Sequence, residues 1–211
     1  MLRIYFYQLN REDLTANRER YLSLLPPWRA ESCHRMKFER GKLQQLAAGM
    51  LLRHALQKEG MELMKVPVSK NEHGKPMIDG IYFNLSHSDD YITAVVADSP
   101  VGIDVETKTD PELKITRRFY SPEEQDAVRR AANPQKEFRR IWTRKEAYVK
   151  CVGTGLAGEI CDIPSLPEMS GKYRLMTLRE EEEYALSIVY YSAKKSESED
   201  IMLDTVTSFD I

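Results

Sequence analysis

The chain has 211 residues, of which 42% are hydrophobic, and this is enough to bury a core in one domain or in two small, tightly joined ones. Its 31 basic and 33 acidic residues leave a formal net charge of −2, so the bulk composition predicts neither a nucleic-acid nor a membrane partner. The cysteines Cys33, Cys151 and Cys161 lack the spacing of a zinc site or disulfide framework, and no apolar run reaches the roughly 18 residues of a membrane span. We therefore expect a cytoplasmic protein with free thiols.

The first 106 residues predict a strand, then helices, then further strands. The alternating stretch LRIYFYQL predicts a half-buried strand over Leu2–Leu9, and residues 15–25 predict a helix that ends at Pro26. Apolar residues recur with helical spacing from Lys42 to Lys58, which predicts a core helix. The runs IYFNLSHS, YITAVVAD and VGIDVE, divided by short polar breaks, predict an antiparallel meander.

The second half repeats this order of elements. The motif SPEE at residues 121–124 supplies a cap, a proline and acids for a helix start, and Pro134 separates that helix from a longer one over about residues 135–151. The stretches YRLMTLR and YALSIVYYS predict strands, and the polar tail from about residue 192 is expected to be loosely ordered. We predict an α/β (α+β) fold with an N-terminal half, 1–100, and a C-terminal half, 101–211, each a small, mainly antiparallel sheet packed with helices.

Two acids stand inside the apolar run VGIDVE. Residues two apart in a strand share a face at a spacing of about 6.5 to 7 Å, so Asp104 and Glu106 point together while Ile103 and Val105 point into the core. Two carboxylates on one rigid face repel each other unless a cation lies between them, and oxygen ligands suit Mg²⁺ or Mn²⁺. The alternative is the solvent face of an edge strand, which is the commoner meaning of an isolated pair.

The later segment WTRKEAYVK supplies a third acid. On a helix, Trp142, Glu146 and Lys150 share one stripe, with Lys145 beside Glu146. An acid between two lysines can ligate a metal while the lysines face phosphate oxygens. The alternative is an ordinary Glu–Lys helix pair worth a few tenths of a kcal/mol.

A cluster of donors closes the strand-like run NLSHS. His87 is flanked by Ser86 and Ser88, and hydroxyl and imidazole groups can hold a phosphate, although a histidine in a turn is the commoner meaning. The sequence contains no G-x-S-x-G elbow, P-loop or Rossmann fingerprint.

The motifs HGKP, FNLSHS, GIDVE and W-x-x-K-E-A-x-x-K occur in this order. Their combination resembles the 4′-phosphopantetheinyl transferases of the larger class typified by the surfactin synthetase activator, over about residues 1–190. The resemblance implies a pseudo-dimer of two similar α/β halves with coenzyme A in the cleft between them. It also implies transfer of the phosphopantetheine arm to a serine of an acyl or peptidyl carrier protein, with release of adenosine 3′,5′-bisphosphate. We expect a monomer.

The resemblance assigns roles to the acids and lysines. Asp104, Glu106 and Glu146 match the family's Mg²⁺ ligands, and Mn²⁺ suits the same oxygen donors. Lys150 matches the lysine at the leaving group, and Lys145 matches a phosphate-contacting lysine. The base for the serine hydroxyl is Glu146 or Glu124, of which we rank Glu146 first because Glu124 also fits a helix N-terminal acid.

The resemblance also implies contacts to coenzyme A. Ser86 and His87 match its phosphate contacts, and Lys75 and Pro76 match the turn against the nucleotide. The sequence departs from the family pattern near the 3′-phosphate, where three arginines are candidates by charge and place: Arg29, Arg35 and Arg53. For Arg53, a side chain that merely covers its helix is an equal alternative.

The carrier proteins implied by the resemblance are acidic helical bundles, which predicts an apolar binding surface with a basic rim. The segment RRFYSPEE offers Arg117, Arg118, Phe119 and Tyr120 for this surface. The alternative is that the two aromatic residues belong to the core and the arginines to the ordinary surface.

Two other functions compete with the transferase. A divalent-metal phosphodiesterase or nuclease would use the same carboxylates, but the net charge of −2 does not support a nuclease. A non-catalytic relative would bind coenzyme A or a carrier without turnover, which the intact acids and Lys150 oppose.

Overall fold

The computed structural model describes residues 1–108, 114–154, 160–163, 165–166, 169–192 and 201–209. The first part of the chain forms strands β1 to β5 and helices α1 to α4: β1 Leu2–Gln8, α1 Arg11–Ala16, α2 Arg18–Ser23, α3 Pro27–His34, α4 Glu39–Lys58, β2 Val68–Lys70, β3 Pro76–Ile78, β4 Tyr82–Ser88 and β5 Tyr91–Ala97. The second part forms the remaining elements: β6 Val101–Glu106, α5 Lys114–Phe119, α6 Pro122–Arg130, α7 Pro134–Val152, a 3₁₀ helix Ile160–Asp162, β7 Met169–Ser170, β8 Tyr173–Glu180, β9 Ala185–Tyr191 and β10 Ile201–Val206.

The strands form two four-stranded sheets and a small hairpin of β2 and β3. The first sheet has the order β10-β1-β5-β4, and the second has the order β6-β9-β8-β7. All neighbours are antiparallel except β1 and β10, which are parallel. The predicted α+β class, with two small and mainly antiparallel sheets packed with helices, is confirmed.

Two strands take places that their local sequence did not predict. The meander is wrong for its third strand, because β6 leaves the first sheet and pairs with β9 in the second. The tail, which we expected to be loosely ordered, includes strand β10, and this strand pairs with β1 of the first sheet. Both placements depend on partners about 80 to 200 residues away along the chain, which local patterns do not report.

Alternation along β1 explains how the sheets are layered. Ile4 and Phe6 are buried in the cluster between the two sheets, whereas Tyr5 and Tyr7 are buried against the helical layer that contains α4. Strand β1 therefore has two buried faces. On the outer side of the second sheet, Ala147 of α7 packs in the core with residues of β8 and β9.

Within the described ranges, every helix is too short or too polar to cross a bilayer.

Candidate active site

Strand β4 of the first sheet and strand β6 of the second sheet run side by side, joined by side chains of β4. The amide of Ile103 donates to Asn84 Oδ1 at 3.0 Å. Two residues further along both strands, the amide of Val105 donates to Ser86 Oγ at 3.3 Å, and the pattern repeats from the amide of Thr107 to Ser88 Oγ at 3.1 Å. Alternate residues of β4 thus satisfy two amides of β6 and the amide of the residue that follows it, and we call this row of bonds the polar seam.

The polar seam also holds the two acids of β6. The hydroxyl of Ser86 donates to Asp104 Oδ1 at 2.8 Å, and that of Ser88 donates to Glu106 Oε1 at 2.6 Å. Glu106 Oε1 also accepts from the amide of Thr107 at 2.9 Å. The carboxylates belong to a strand of the second sheet and are oriented by side chains from a strand of the first sheet.

Gly102 lets helix α7 approach β6 closely. A Cβ atom at this position would lie 2.1 Å from the carbonyl oxygen of Ala147 and 2.4 Å from the amide nitrogen of Cys151, and both are backbone atoms that cannot move aside. Only glycine fits here for that reason. The close approach brings the last turns of α7 over Asp104 and so delivers Glu146 and Lys150 to the acids of β6.

The predicted stripe of α7 faces one pocket. A cavity of about 310 Å³ is lined by Asp104, Glu106, Trp142, Glu146 and Lys150, together with Leu85, Ser86, His87 and Val105. The structure thus brings together all three predicted metal ligands and the predicted leaving-group lysine.

Lys150 forms an ion pair with Asp104. Its ammonium lies 2.6 Å from Asp104 Oδ1 and 2.9 Å from Ser86 Oγ. Asp104 is only 6% exposed, and burial raises the pKa of its carboxyl, while the Lys150 ammonium and the Ser86 hydroxyl act in the opposite direction. The hydroxyl of Ser86 orients Asp104 in this structure, and its contact with a phosphate of coenzyme A stays a prediction.

Glu146 is a buried acid that lies among other acids of the pocket. Burial, followed by repulsion from Asp104 and Glu106, raises the pKa of Glu146 to about 7, against the opposing effect of Lys150. An acid held among like charges is stabilised by a cation.

The donor set suits a divalent cation, but the ligands are not gathered around one point. In the described part of the chain, no group of three or more acidic, histidine or cysteine side chains is close enough to hold a metal ion. Asp104 is instead occupied by Lys150. All three acids supply oxygen donors to one pocket, which is the chemistry that Mg²⁺ and Mn²⁺ prefer.

The pocket continues into the N-terminal half. Asn84, Lys75, Glu146 and Lys150 line a neighbouring cavity of about 320 Å³, and Lys75 and Asn84 also line a third one, of about 240 Å³, which reaches Arg29. Because the three cavities share lining residues, they form one elongated cleft. It runs from the acids of β6 to the helical layer of α3 and α4.

Arg29 and His87 give the far end of this cleft its polar groups. Arg29 is 7% exposed, its Nη2 donates to the carbonyl of Gln45 at 2.8 Å, and its buried Nε has no hydrogen-bond partner in the described structure. Burial, with Lys150 and Arg29 adding to it, lowers the pKa of His87, whose Nε2 lies 3.0 Å from Gln45 Nε2. An unpartnered guanidinium donor in a cleft is suited to an anion.

Lys145 and Glu124 lie away from the cleft. The Lys145 side chain is fully buried, and its ammonium lies 2.8 Å from Glu124 Oε2 and donates to the carbonyls of Ile160 and Ile163, both at 2.8 Å. The other Glu124 oxygen accepts from the Ser165 hydroxyl at 2.6 Å. The predicted phosphate contact of Lys145 and the predicted base role of Glu124 are therefore not supported, because both charges are already paired in the interior.

Further predicted residues lie elsewhere. Arg35 is exposed, Arg53 bonds Gln57 within α4 at 3.3 Å, and neither lines the cleft. Tyr120 is a core residue instead of part of a carrier surface, since it is 3% exposed and its hydroxyl donates to the carbonyl of Phe138 at 2.7 Å. Arg117 and Arg118 are exposed.

Sequence reasoning missed Asn84 and Gln45 and gave Ser88 no role of its own. The signal for Asn84 and Ser88 was present, because N-x-S-x-S places polar groups at every second position of a strand, along one face. Gln45 is a polar residue within α4, and nothing in the sequence around it indicates that it contacts His87.

Replacing Glu146 with Gln tests whether the pKa of Glu146 is raised in the folded protein. The folded-state pKa of about 7 lies above the ordinary 4.5, so between these pH values the unfolded state binds fewer protons than the folded state. The metal-free protein is therefore expected to lose stability as pH rises through this window, and Glu146→Gln is expected to remove that part of the slope. Urea unfolding in EDTA across the window measures it.

The matched control is Glu72→Gln, which makes the same change at an exposed glutamate. This variant is expected to follow the wild-type profile. Equal slopes in wild type and Glu146→Gln would contradict the raised pKa.

Comparison with known proteins supports one family. Residues 100–201 match the model of the 4′-phosphopantetheinyl transferase superfamily. The chain is 31% identical over 166 residues to 4′-phosphopantetheinyl transferase psf-1 of Bacillus pumilus, covering 74% of this chain and 71% of that protein. It is 28% identical over 162 residues to 4′-phosphopantetheinyl transferase Sfp of Bacillus subtilis (strain 168), covering 74% and 72%, and 40% identical over 90 residues to 4′-phosphopantetheinyl transferase gsp of Aneurinibacillus migulanus, covering 41% and 38%. The chain therefore belongs to the 4′-phosphopantetheinyl transferase superfamily.

Proposed function

We propose that this protein transfers the 4′-phosphopantetheine group of coenzyme A to a serine of an apo acyl or peptidyl carrier protein and releases adenosine 3′,5′-bisphosphate. The observation that carries the proposal is the convergence of Asp104, Glu106, Glu146 and Lys150 on one pocket. Family membership supplies the reaction, and this pocket supplies groups suited to it. We also propose a cytoplasmic monomer, in keeping with three free cysteines.

The acids of the pocket would hold a divalent cation through Asp104, Glu106 and Glu146. Such a cation neutralises the oxygens of a pyrophosphate and helps to align it for displacement. Ser86 and Ser88 keep two of these carboxylates oriented, which lowers the reorganisation needed on binding.

The chain's own groups handle the charge and the proton. The oxygen of the carrier serine forms a bond to the phosphorus of the pantetheine phosphate, and the bond from that phosphorus to the bridging oxygen of the pyrophosphate breaks. Glu146 would accept the serine proton, because its carboxylate faces the pocket. The Lys150 ammonium offsets the charge that develops on the leaving phosphate.

The far end of the cleft suits the nucleotide part of coenzyme A. Arg29 is our candidate for the 3′-phosphate because this arginine lines the cavity, and Pro76 lines the same cavity. His87, with its lowered pKa, would contact phosphate as a neutral hydrogen-bonding group.

An apolar surface with basic neighbours is proposed for the carrier protein. Phe38, at the start of α4, is 72% exposed and has the Lys37 ammonium 5.6 Å from its ring centroid. Arg40, two residues on, pairs with Asp89 at the β4–β5 turn, next to the polar seam. Arg117 and Arg118 are also exposed and remain candidates for contacts with an acidic partner.

Incubation with coenzyme A, Mg²⁺ and several apo acyl and peptidyl carrier proteins tests the proposal. We expect at least one carrier to gain the mass of one phosphopantetheine arm, with release of adenosine 3′,5′-bisphosphate in equal amount. Release of that nucleotide without a gain in carrier mass would indicate a phosphodiesterase. Binding of coenzyme A without either product would indicate a non-catalytic relative.

A further inference from the structure

The C-terminal end of helix α7 is capped by a lysine from the other half of the protein. The last carbonyls of a helix have no partner within the helix and lie at the negative end of its dipole. Lys75 Nζ lies 2.5 Å from the carbonyl oxygen of Lys150 and 3.4 Å from that of Cys151, and it also reaches the carbonyl of Val101 at 3.5 Å. One ammonium therefore joins the end of α7 to the start of β6.

The helix's own basic residue does not perform this role. Lys150 is the basic residue of the last turn of α7, where lysines often bond the terminal carbonyls. Its ammonium turns instead to Asp104 and Ser86. Lys75 supplies the charge at the helix end and leaves Lys150 to the pocket.

The turn that carries Lys75 is itself fixed to α7. Asn71 Nδ2 donates to the carbonyl of Gly153 at 3.0 Å, while Asn71 Oδ1 accepts from the amide of Lys75 at 2.8 Å. Gly153 ends the helix with a φ of 81°, and a Cβ there would lie 3.1 Å from Asn71 Nδ2 and 3.3 Å from Lys75 Cδ. The β2–β3 turn and the end of α7 are thus packed together without spare room.

The same turn forms part of the cleft wall. Lys75 and Pro76 line the cavity that reaches Arg29, and Lys75 also lines the cavity next to Glu146 and Lys150. We propose that Lys75 is a positioning residue whose ammonium tethers α7 to the β2–β3 turn and so holds Lys150 and Glu146 in place against Asp104. Its charge serves the helix end and not a phosphate of coenzyme A. The kinetic part of this inference rests on the proposed function.

Lys75→Met is the test variant, and Lys70→Met makes the same change at an exposed lysine of the same hairpin. Lys75→Met is expected to lower kcat about 10- to 100-fold, the usual effect of losing a partner that orients a reacting group. The ratio of kcat/KM for coenzyme A to that for 3′-dephospho-coenzyme A is expected to stay at the wild-type value. Lys70→Met is expected to match wild type in both. Lys75→Gln, which keeps a donor without the charge, is expected to lose less kcat than Lys75→Met and serves if Lys75→Met does not fold.

Amide hydrogen exchange tests the tether without any substrate. The amides at the end of α7, up to Gly153, are expected to exchange faster in Lys75→Met than in wild type or Lys70→Met. Unchanged exchange there, or loss of discrimination against 3′-dephospho-coenzyme A, would overturn the inference. A wild-type protein that modifies no carrier contradicts the proposed function, whereas the exchange comparison still decides the tether.

Discussion

Asp104→Asn is expected to lower kcat for carrier modification by about 10²- to 10⁴-fold, which corresponds to the several kcal/mol that a metal ion contributes to such a transition state. The substitution removes a charged oxygen ligand from the pocket and also removes the partner of Lys150. The remaining acids are expected to require more Mg²⁺ for half-maximal activity. Product formation measured across a Mg²⁺ series gives both values.

Asp204→Asn is the control, since it makes the same change at an exposed aspartate of β10. It is expected to retain the wild-type rate and Mg²⁺ dependence. Circular dichroism of both variants separates loss of chemistry from loss of fold. Full activity in folded Asp104→Asn would show that the metal assignment is wrong.

Lys145→Met is expected to lower the free energy of unfolding by about 3 to 5 kcal/mol, the usual cost of leaving a buried charge without its partner. The Lys145 and Glu124 side chains are 0% and 3% exposed, and their charged atoms are 2.8 Å apart. The pair also links α6 and α7 to the segment that contains Ile160 and Ser165. Urea unfolding measures the loss.

Two further variants separate charge from packing. The double variant Lys145→Met with Glu124→Gln leaves no unpaired charge and is expected to be more stable than Lys145→Met alone. Lys136→Met removes an ion pair of the same helix with Glu182, in which Lys136 is half-buried and Glu182 exposed, and it is expected to change stability by about 0 to 1 kcal/mol. A loss of that size in Lys145→Met as well would mean that the buried pair is not a structural anchor.

The sequence predicted the acids of the pocket because these residues follow the periodicity of a strand or of a helix. Asp104 and Glu106 are two residues apart in a strand, and Glu146 and Lys150 are four apart in a helix, so each pair faces one way without help from the fold. Their meeting could be inferred only from the family motif. In the structure it depends on Gly102, whose missing Cβ admits α7.

Lys145 shows where local reasoning fails. Adjacent residues of a helix point about 100° apart, so Lys145 does not share the stripe of Glu146. Whether that second direction leads to solvent, to a ligand or to a buried acid depends on Glu124 and on the segment around Ile160. The spacing of residues along the chain indicates neither of these two contacts of Lys145.

Only the tertiary structure shows which of the candidate arginines lies at the cleft. Arg29 and Arg53 were equal candidates by charge and place, and only the packing of α3 against α4 buries Arg29 at the cleft. The local sequence likewise did not decide whether Phe119 and Tyr120 belong to the core or to a carrier surface. Tyr120 stacks on Phe138 at a centroid distance of 5.6 Å, a contact that belongs to the core of the second half.

The polar seam has a consequence for how the cleft can change in evolution. Strands joined by backbone bonds lie about 4.7 to 4.9 Å apart, and their register changes only in whole residues. At the seam the side chains of Asn84, Ser86 and Ser88 bridge the two strands instead, so a substitution there removes a bond of the seam and not a backbone bond of either sheet. We therefore expect substitutions at these three positions to change how the two sheets meet at the cleft while the fold is kept.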